Sequence, residues 1–157
     1  MKDTGFTYIS VLMLVVVTGI ALTGASRYWS AAVKREKEAE LLFRGDQITR
    51  AIGSYYNSAP GAQKNTYPPS LKDLLKDTRY PAVKRHLRRL YKDPMTKNGE
   101  WHLVLDSKGA IKGVCSTGTK QPVKTGRFKK EYKNFEAAEK YSDWQFIYLT
   151  KKGKKQN

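Results

Sequence analysis

Polar and apolar positions follow three different patterns along this chain. From Phe6 to Ala25 there are 20 residues without a charge, mostly Leu, Val, Ile and Met. As a helix rising ~1.5 Å per residue, this run would cross the roughly 30 Å hydrocarbon core of a bilayer. Secretory signals usually have a shorter apolar region, about 7–15 residues, after a more basic start than Met1-Lys2-Asp3. The run therefore reads as an anchor in preference to a discarded signal, although Thr23-Gly24-Ala25 loosely matches a cleavage site. The second pattern, Ser26 to Tyr56, has no proline, is rich in Ala, Glu, Lys, Arg and Leu, and places Trp29, Val33, Leu41, Ile48, Ile52 and Tyr55 at roughly helical intervals. Together the two segments predict one helix from Phe6 to Tyr56, about 75 Å long, apolar in its first half and amphipathic in its second. Gly45 and Gly53 are its expected weak points. The charges of KREKEAE, Lys34 to Glu40, read as a solvated face with intrahelical pairs such as Lys34 near Glu38.

Asn57 to Ser70 (NSAPGAQKNTYPPS) stops the helix, because proline, glycine, asparagine and serine crowd into it. Ser70 with Asp73 predicts a helix start, continued by LKDLLKD until Pro81 intervenes. AVKRHLRRLYKD, Ala82 to Asp93, is a second short helical candidate, with a solvated surface segment as the plainer reading.

The third pattern has the period of strands. EWHLVLD and AIKGVCST are β-branched and apolar runs joined by Asp106-Ser107-Lys108-Gly109, a hairpin in which Gly109 supplies a positive φ. A helical turn is expected at Phe135 to Lys140 and a last strand at Trp144 to Thr150. The predicted class is α+β: a long N-terminal helix, transmembrane and then amphipathic, laid on a small antiparallel sheet of three or four strands.

Composition narrows the function. The residues after the apolar run suit one modest domain, and 39% hydrophobic residues with three Trp and ten Tyr supply a small core. The net charge of +16, from 30 Lys and Arg against 14 Asp and Glu, points to nucleic acid, anionic lipid or an acidic partner. A single cysteine, Cys115, excludes an intramolecular disulfide, a cysteine zinc cluster and a Cys-x-x-Cys redox pair, and reads as a small buried hydrophobe. His86 and His102 lie far from it in sequence, so a Cys-His pair is the minor reading. No spacing builds a nucleophile with its base, no phosphate-binding glycine loop occurs, and no cofactor is implied. Asp93 and Asp106 offer oxygen ligands for calcium, but neighbouring lysines oppose a hard cation, and turn or cap roles suit them better.

KDTGFTYISVLMLVV, from Lys2, resembles the amino-terminal signature of type IV pilin-like proteins, in which a short charged leader ends in Gly and the mature chain begins with Phe. TYPPSLKDLL and YKDPMTKNGEWHLVLD resemble the pseudopilins of type II secretion systems, whereas Gly113 to Lys140 matches no part of that pattern. The resemblance implies a leader at residues 1–5, cleavage after Gly5 by a prepilin peptidase, and methylation of the new amino terminus at Phe6. It also implies residues 6–25 in the inner membrane as a single pass, residues 26–56 as the continued helix, and residues 57–157 as a periplasmic domain with a basic tail. Other pseudopilins, secretion platform proteins and exported cargo would be the partners.

Two features depart from that pattern. Family members usually carry Glu five residues into the mature chain, where it pairs with a neighbouring subunit's amino terminus in lipid; here the position is Ser10. The tip-forming member of the family tends to lack the acid too, but is usually much larger. Lys2 on one side of the run, against Arg27, Lys34, Arg35 and Lys37 on the other, favours the opposite orientation by the positive-inside rule, although long domains translocate largely regardless of charge. A second functional class stands beside the secretion subunit. This is a membrane-tethered minor pilin of a DNA-uptake or adhesion system that meets phosphate through KRHLRR, KTGRFKK and KKGKK.

Overall fold

The computed structural model describes residues 4–58 and 65–150, without the side chains of residues 4–6 and 23–27. It divides into two units, Met1–Glu36 and Lys37–Asn157. Helix α1 runs over Thr4–Asn57, which no proline interrupts. In the first unit its large apolar side chains stand out from the helix, from Tyr8 at 66% exposed to Leu22 at 70%. Thr18 folds its hydroxyl back onto the carbonyls of Leu14 and Val15, each at 2.9 Å, so that this polar group is satisfied within the helix. Among the described residues, no helix is long and apolar enough to cross a membrane. The predicted anchor, Phe6 to Ala25, reaches at both ends into side chains outside the described ones. Its described part, residues 7–22, is shorter than the roughly 20 residues a span needs.

In the second unit the rest of α1 lies against three antiparallel strands, β1 (Trp101–Leu105), β2 (Ile111–Ser116) and β3 (Gln145–Ile147), in the order β1-β2-β3. Leu41, Ile48, Ile52 and Tyr55 form the buried stripe of the helix, and they share one core with Leu74, Leu87, Ile111, Val114, Phe135, Trp144 and Phe146. Full burial of such side chains contributes about 1.5–3 kcal/mol each. Gly45 and Gly53 are not weak points. A β-carbon added at Gly45 would sit 2.5 Å from the Phe146 ring, and one at Gly53 would sit 2.5 Å from the Tyr148 ring. The two glycines thus let β3 and its continuation approach the helix backbone.

The helix ends where its last carbonyls find other partners. Gly53 O accepts from Asn57 Nδ2 at 2.7 Å, Tyr55 O from Arg79 Nη2 at 2.8 Å, and Tyr56 O from the Asn65 amide at 3.2 Å. Ser70 and Asp73 make the predicted cap: Ser70 Oγ accepts from Lys72 N and Asp73 Oδ2 from Ser70 N. What they cap is one turn of 3-10 helix, Leu71–Leu74. The second helical candidate, Ala82 to Asp93, is not helical. Only Leu87 there is a buried hydrophobe, so no apolar stripe rewards a helix, and the amides of His86 and Leu87 both donate to Leu74 O at 2.8 Å.

The hairpin forms as predicted. Asp106 Oδ1 accepts from Lys108 N and Ala110 N at 2.9 Å each, and Gly109 takes φ +77°. A bulge between Val104 and Leu105 shifts the register from Val104↔Gly113 to Leu105↔Ile111. The third helical turn lies earlier than expected, as a kinked 3-10 segment, Lys130–Ala137, and β3 is shorter than Trp144 to Thr150. Phe135 explains the first shift: its ring stacks on Trp144 with centroids 5.4 Å apart and meets Phe146 edge-on at 5.2 Å, which places it within the core.

Candidate functional site

Gly5 and Phe6, the expected processing residues, belong to the backbone of α1, but the Phe6 side chain lies outside the described ones. Ser10 is exposed on the same helix, between the exposed Ile9 and Val11. The structure therefore presents residues 8–22 as a largely apolar surface in which Ser10 is an exposed hydroxyl beside those of Tyr8 and Thr18.

The second unit gathers its polar chemistry at four buried carboxylates. The most connected is Asp77. Oδ2 accepts from Arg79 Nη2 at 2.7 Å and faces His86 Nε2 at 3.0 Å, while Oδ1 accepts from Arg79 Nε at 2.9 Å and from the Arg79 amide at 3.0 Å. Burial opposes its charge, but the hydrogen bonds from Arg79 and His86 more than reverse that and hold the carboxyl far below the usual carboxylate range. An ionised carboxylate only accepts, so Nε2 of His86 donates to it. When the ring is neutral, Nδ1 is then left to accept from the Ser54 hydroxyl at 2.9 Å.

Sequence spacing did not reveal this Ser54–His86–Asp77 chain, which has the members of a hydrolytic triad. It lacks the features that activate a nucleophile. Asp77 is already bound by a guanidinium, which lowers its ability to support an imidazolium, and Ser54 sits within α1, where the backbone amides are engaged along the helix. The cluster acts as a clamp: Arg79 also lies 3.4 Å above the Tyr55 ring and caps its carbonyl, tying residues 77–86 to the end of the helix.

Glu38, read from the sequence as part of a solvated face, is 3% exposed. It accepts from the amides of Val123 and Lys124 and from the Tyr141 hydroxyl at 2.9 Å. Asp46 accepts from the Tyr132 hydroxyl at 2.9 Å and pairs with Arg50 and Lys129. Burial raises the phenols of Tyr132 and Tyr141, and the hydrogen bond each gives to its carboxylate raises it further. A signal for Glu38 was present. Positions 38, 41, 45, 48, 52 and 55 lie on one helical face, so an acid at 38 continues the buried stripe.

Asp93 and Asp106 have the turn and cap roles. Asp93 accepts from Met95 N at 2.8 Å and from Ser116 Oγ at 2.7 Å, and Asp106 closes the hairpin. No group of three metal-ligating side chains forms among the described residues. His102 pairs with Cys115 in the β1/β2 register, but Cys115 is buried. Its thiol is raised first by that burial and then by Asp143 and Asp93, which opposes a thiolate.

The basic motifs separate on the surface. Lys84 donates to the Tyr80 hydroxyl at 3.0 Å, Arg89 lies over Tyr91, Lys124 over Phe128, and Lys129 pairs with Asp46. Arg85 and Arg88 line an open concavity of about 330 Å³ with Lys76, Leu75 and Val83. KKGKK, Lys151 to Lys155, lies outside the described residues. A wider groove of about 550 Å³ runs past Leu90, Tyr91, Trp101 and Leu103 beside the β1 edge. No protein-family model, curated protein or solved structure matches this chain.

Proposed function

We propose that this chain is a pseudopilin-type structural subunit of a type II secretion machine or a related type IV pilus-like machine, and not an enzyme. On this reading the prepilin peptidase cuts after Gly5, Phe6 is methylated, residues 6–25 hold the chain in the inner membrane, and the α+β domain lies in the periplasm. One observation carries it: Gly5-Phe6 heads an uncharged run that enters, within a single helix, the apolar stripe of an α+β core. Exposed apolar side chains from Tyr8 to Leu22 support it, since so large a surface favours cover by lipid or by other such helices. Ser10 bears on assembly, because a hydroxyl accepts a hydrogen bond from a neighbour's amino terminus but does not neutralise it, which suits a tip or a minor complex better than a long homopolymer. Intact-mass and amino-terminal analysis of membrane-extracted protein tests the reading. A chain starting at methylated Phe6 is expected; one starting at Ser26 would overturn it.

The exposed cations Lys76, Arg85 and Arg88 favour a second reading, a membrane-tethered minor pilin that binds DNA or another polyanion. Binding of a DNA duplex by the full chain would then fall steeply between about 50 and 200 mM salt. Submicromolar binding that survives the higher salt would place this reading first.

A further inference from the structure

We infer that Lys76, Arg85 and Arg88 form a binding site for a phosphate group. The three exposed side chains line one concavity of about 330 Å³, yet they come from two segments held in fixed register. Lys76 follows the capped 3-10 turn Leu71–Leu74, whose Leu74 is fully buried. Arg85 and Arg88 flank His86 and Leu87, whose amides both bond to Leu74 O, and Asp77 N bonds to Lys84 O at 2.9 Å. Anchored backbone on both sides thus holds three like charges around one space.

Nothing in the described chain offsets that repulsion. No carboxylate lines the concavity. Asp73 accepts from the Ser70 amide, and Asp77 is held by Arg79 and His86. Lys84 is engaged by Tyr80 and Arg89 lies over Tyr91, whereas no ion pair joins Lys76, Arg85 or Arg88 to an acid among the described residues. An external anion completes the arrangement. Two guanidinium forks and an ammonium match the tetrahedral oxygens of phosphate, which accept several charge-assisted hydrogen bonds at once. Leu75 and Val83 on the same wall leave room for an apolar substituent on that phosphate. A free phosphate and a phospholipid headgroup share this chemistry. The site belongs to the second unit and does not depend on processing at Phe6.

The test uses the full chain in uncharged detergent micelles at low salt, followed by phosphorus NMR. One arm titrates inorganic phosphate; the other compares micelles doped with phosphatidylglycerol or with phosphatidylcholine. Saturable broadening of the phosphorus signal is expected in at least one arm. Inorganic phosphate alone would identify a free phosphate, and phosphatidylglycerol alone a lipid headgroup. The variant Lys76→Ala/Arg85→Ala/Arg88→Ala should lose about tenfold or more in affinity, while Lys97→Ala/Lys108→Ala/Lys133→Ala, with the same loss of charge at exposed positions, stays within about twofold. Circular dichroism confirms that both variants fold, which is expected because all six side chains are exposed. Equal weakening by both variants would reduce the effect to net charge and overturn the site. Absence of saturable binding in both arms would overturn it too.

Discussion

Two stretches of the same helix meet opposite fates. Between Tyr8 and Leu22 the large apolar side chains are about half exposed or more, whereas Leu41, Ile48 and Ile52 are at most 1% exposed. Both stretches carry large apolar side chains and both are helical. The difference lies in the opposite face: the second stretch mixes charge into its sequence, so its apolar residues form a stripe that one sheet can cover, and the first is apolar all round. A helix of the second kind buries its stripe in its own domain, and one of the first kind leaves its large apolar side chains exposed. The second stretch also carries buried acids, Glu38 and Asp46, and each accepts a hydrogen bond from a distant tyrosine. These acids fasten the irregular segments after β2 to the helix.

The comparison is most strongly tested at Asp77, which belongs to the self-covered unit. Asp77→Ala leaves Arg79 and His86 without their carboxylate and should cost about 3–5 kcal/mol in denaturant unfolding of the full chain in detergent. The pH dependence follows from the sign of the shift. Because the folded carboxyl titrates below its unfolded value of about 3.9, its contribution is fully present above that pH and is lost as pH falls further. Asp77→Ala should remove this part of the acid sensitivity, and a variant with unchanged acid sensitivity would show that Asp77 is not what holds residues 77–86 to the helix.

A paired truncation comes next. Leu41→Ala should destabilise by about 2–5 kcal/mol, while Leu14→Ala should stay within about 0.5 kcal/mol in the same unfolding measurement, since one side chain is fully buried and the other exposed. Equal costs would mean that the exposed stretch packs as tightly as the core. The smallest contrast uses glycine. Gly45→Ala drives a methyl group into the Phe146 ring and should cost about 1–3 kcal/mol. Gly19→Ala meets nothing within 4 Å and should raise helix stability by about 0.5–1 kcal/mol, read as helical circular dichroism on heating. The same substitution would then have opposite signs in one helix.

Local rules explain why some of this was legible. The helix from Thr4 to Asn57, the Ser70–Asp73 cap and the hairpin closed by Asp106 and Gly109 each arise from residues close in sequence: an unbroken run without proline, a side chain three positions from its partner amide, a glycine at positive φ. Ala82 to Asp93 misled, because its helix-forming composition carried no apolar stripe and its amides found Leu74 instead. Glu38 misled in the other way, since a charge in a charged run looks solvated until position 38 is placed on the face that holds Leu41 and Ile48.

By itself the sequence determined where the chain is helical without interruption, which stretch is uncharged, where the hairpin turns, and that Cys115 has no intramolecular disulfide partner. Those properties depend on composition and on neighbours a few residues apart. Tertiary structure alone decided which charges are buried and which are left exposed. Asp77, Arg79, His86 and Ser54 meet because residues 77–86 lie against the end of the helix, and Glu38 meets Tyr141 across 103 positions of chain. The energy of a charge depends on what surrounds it in space, through desolvation and hydrogen bonding, and separation in sequence does not set that environment.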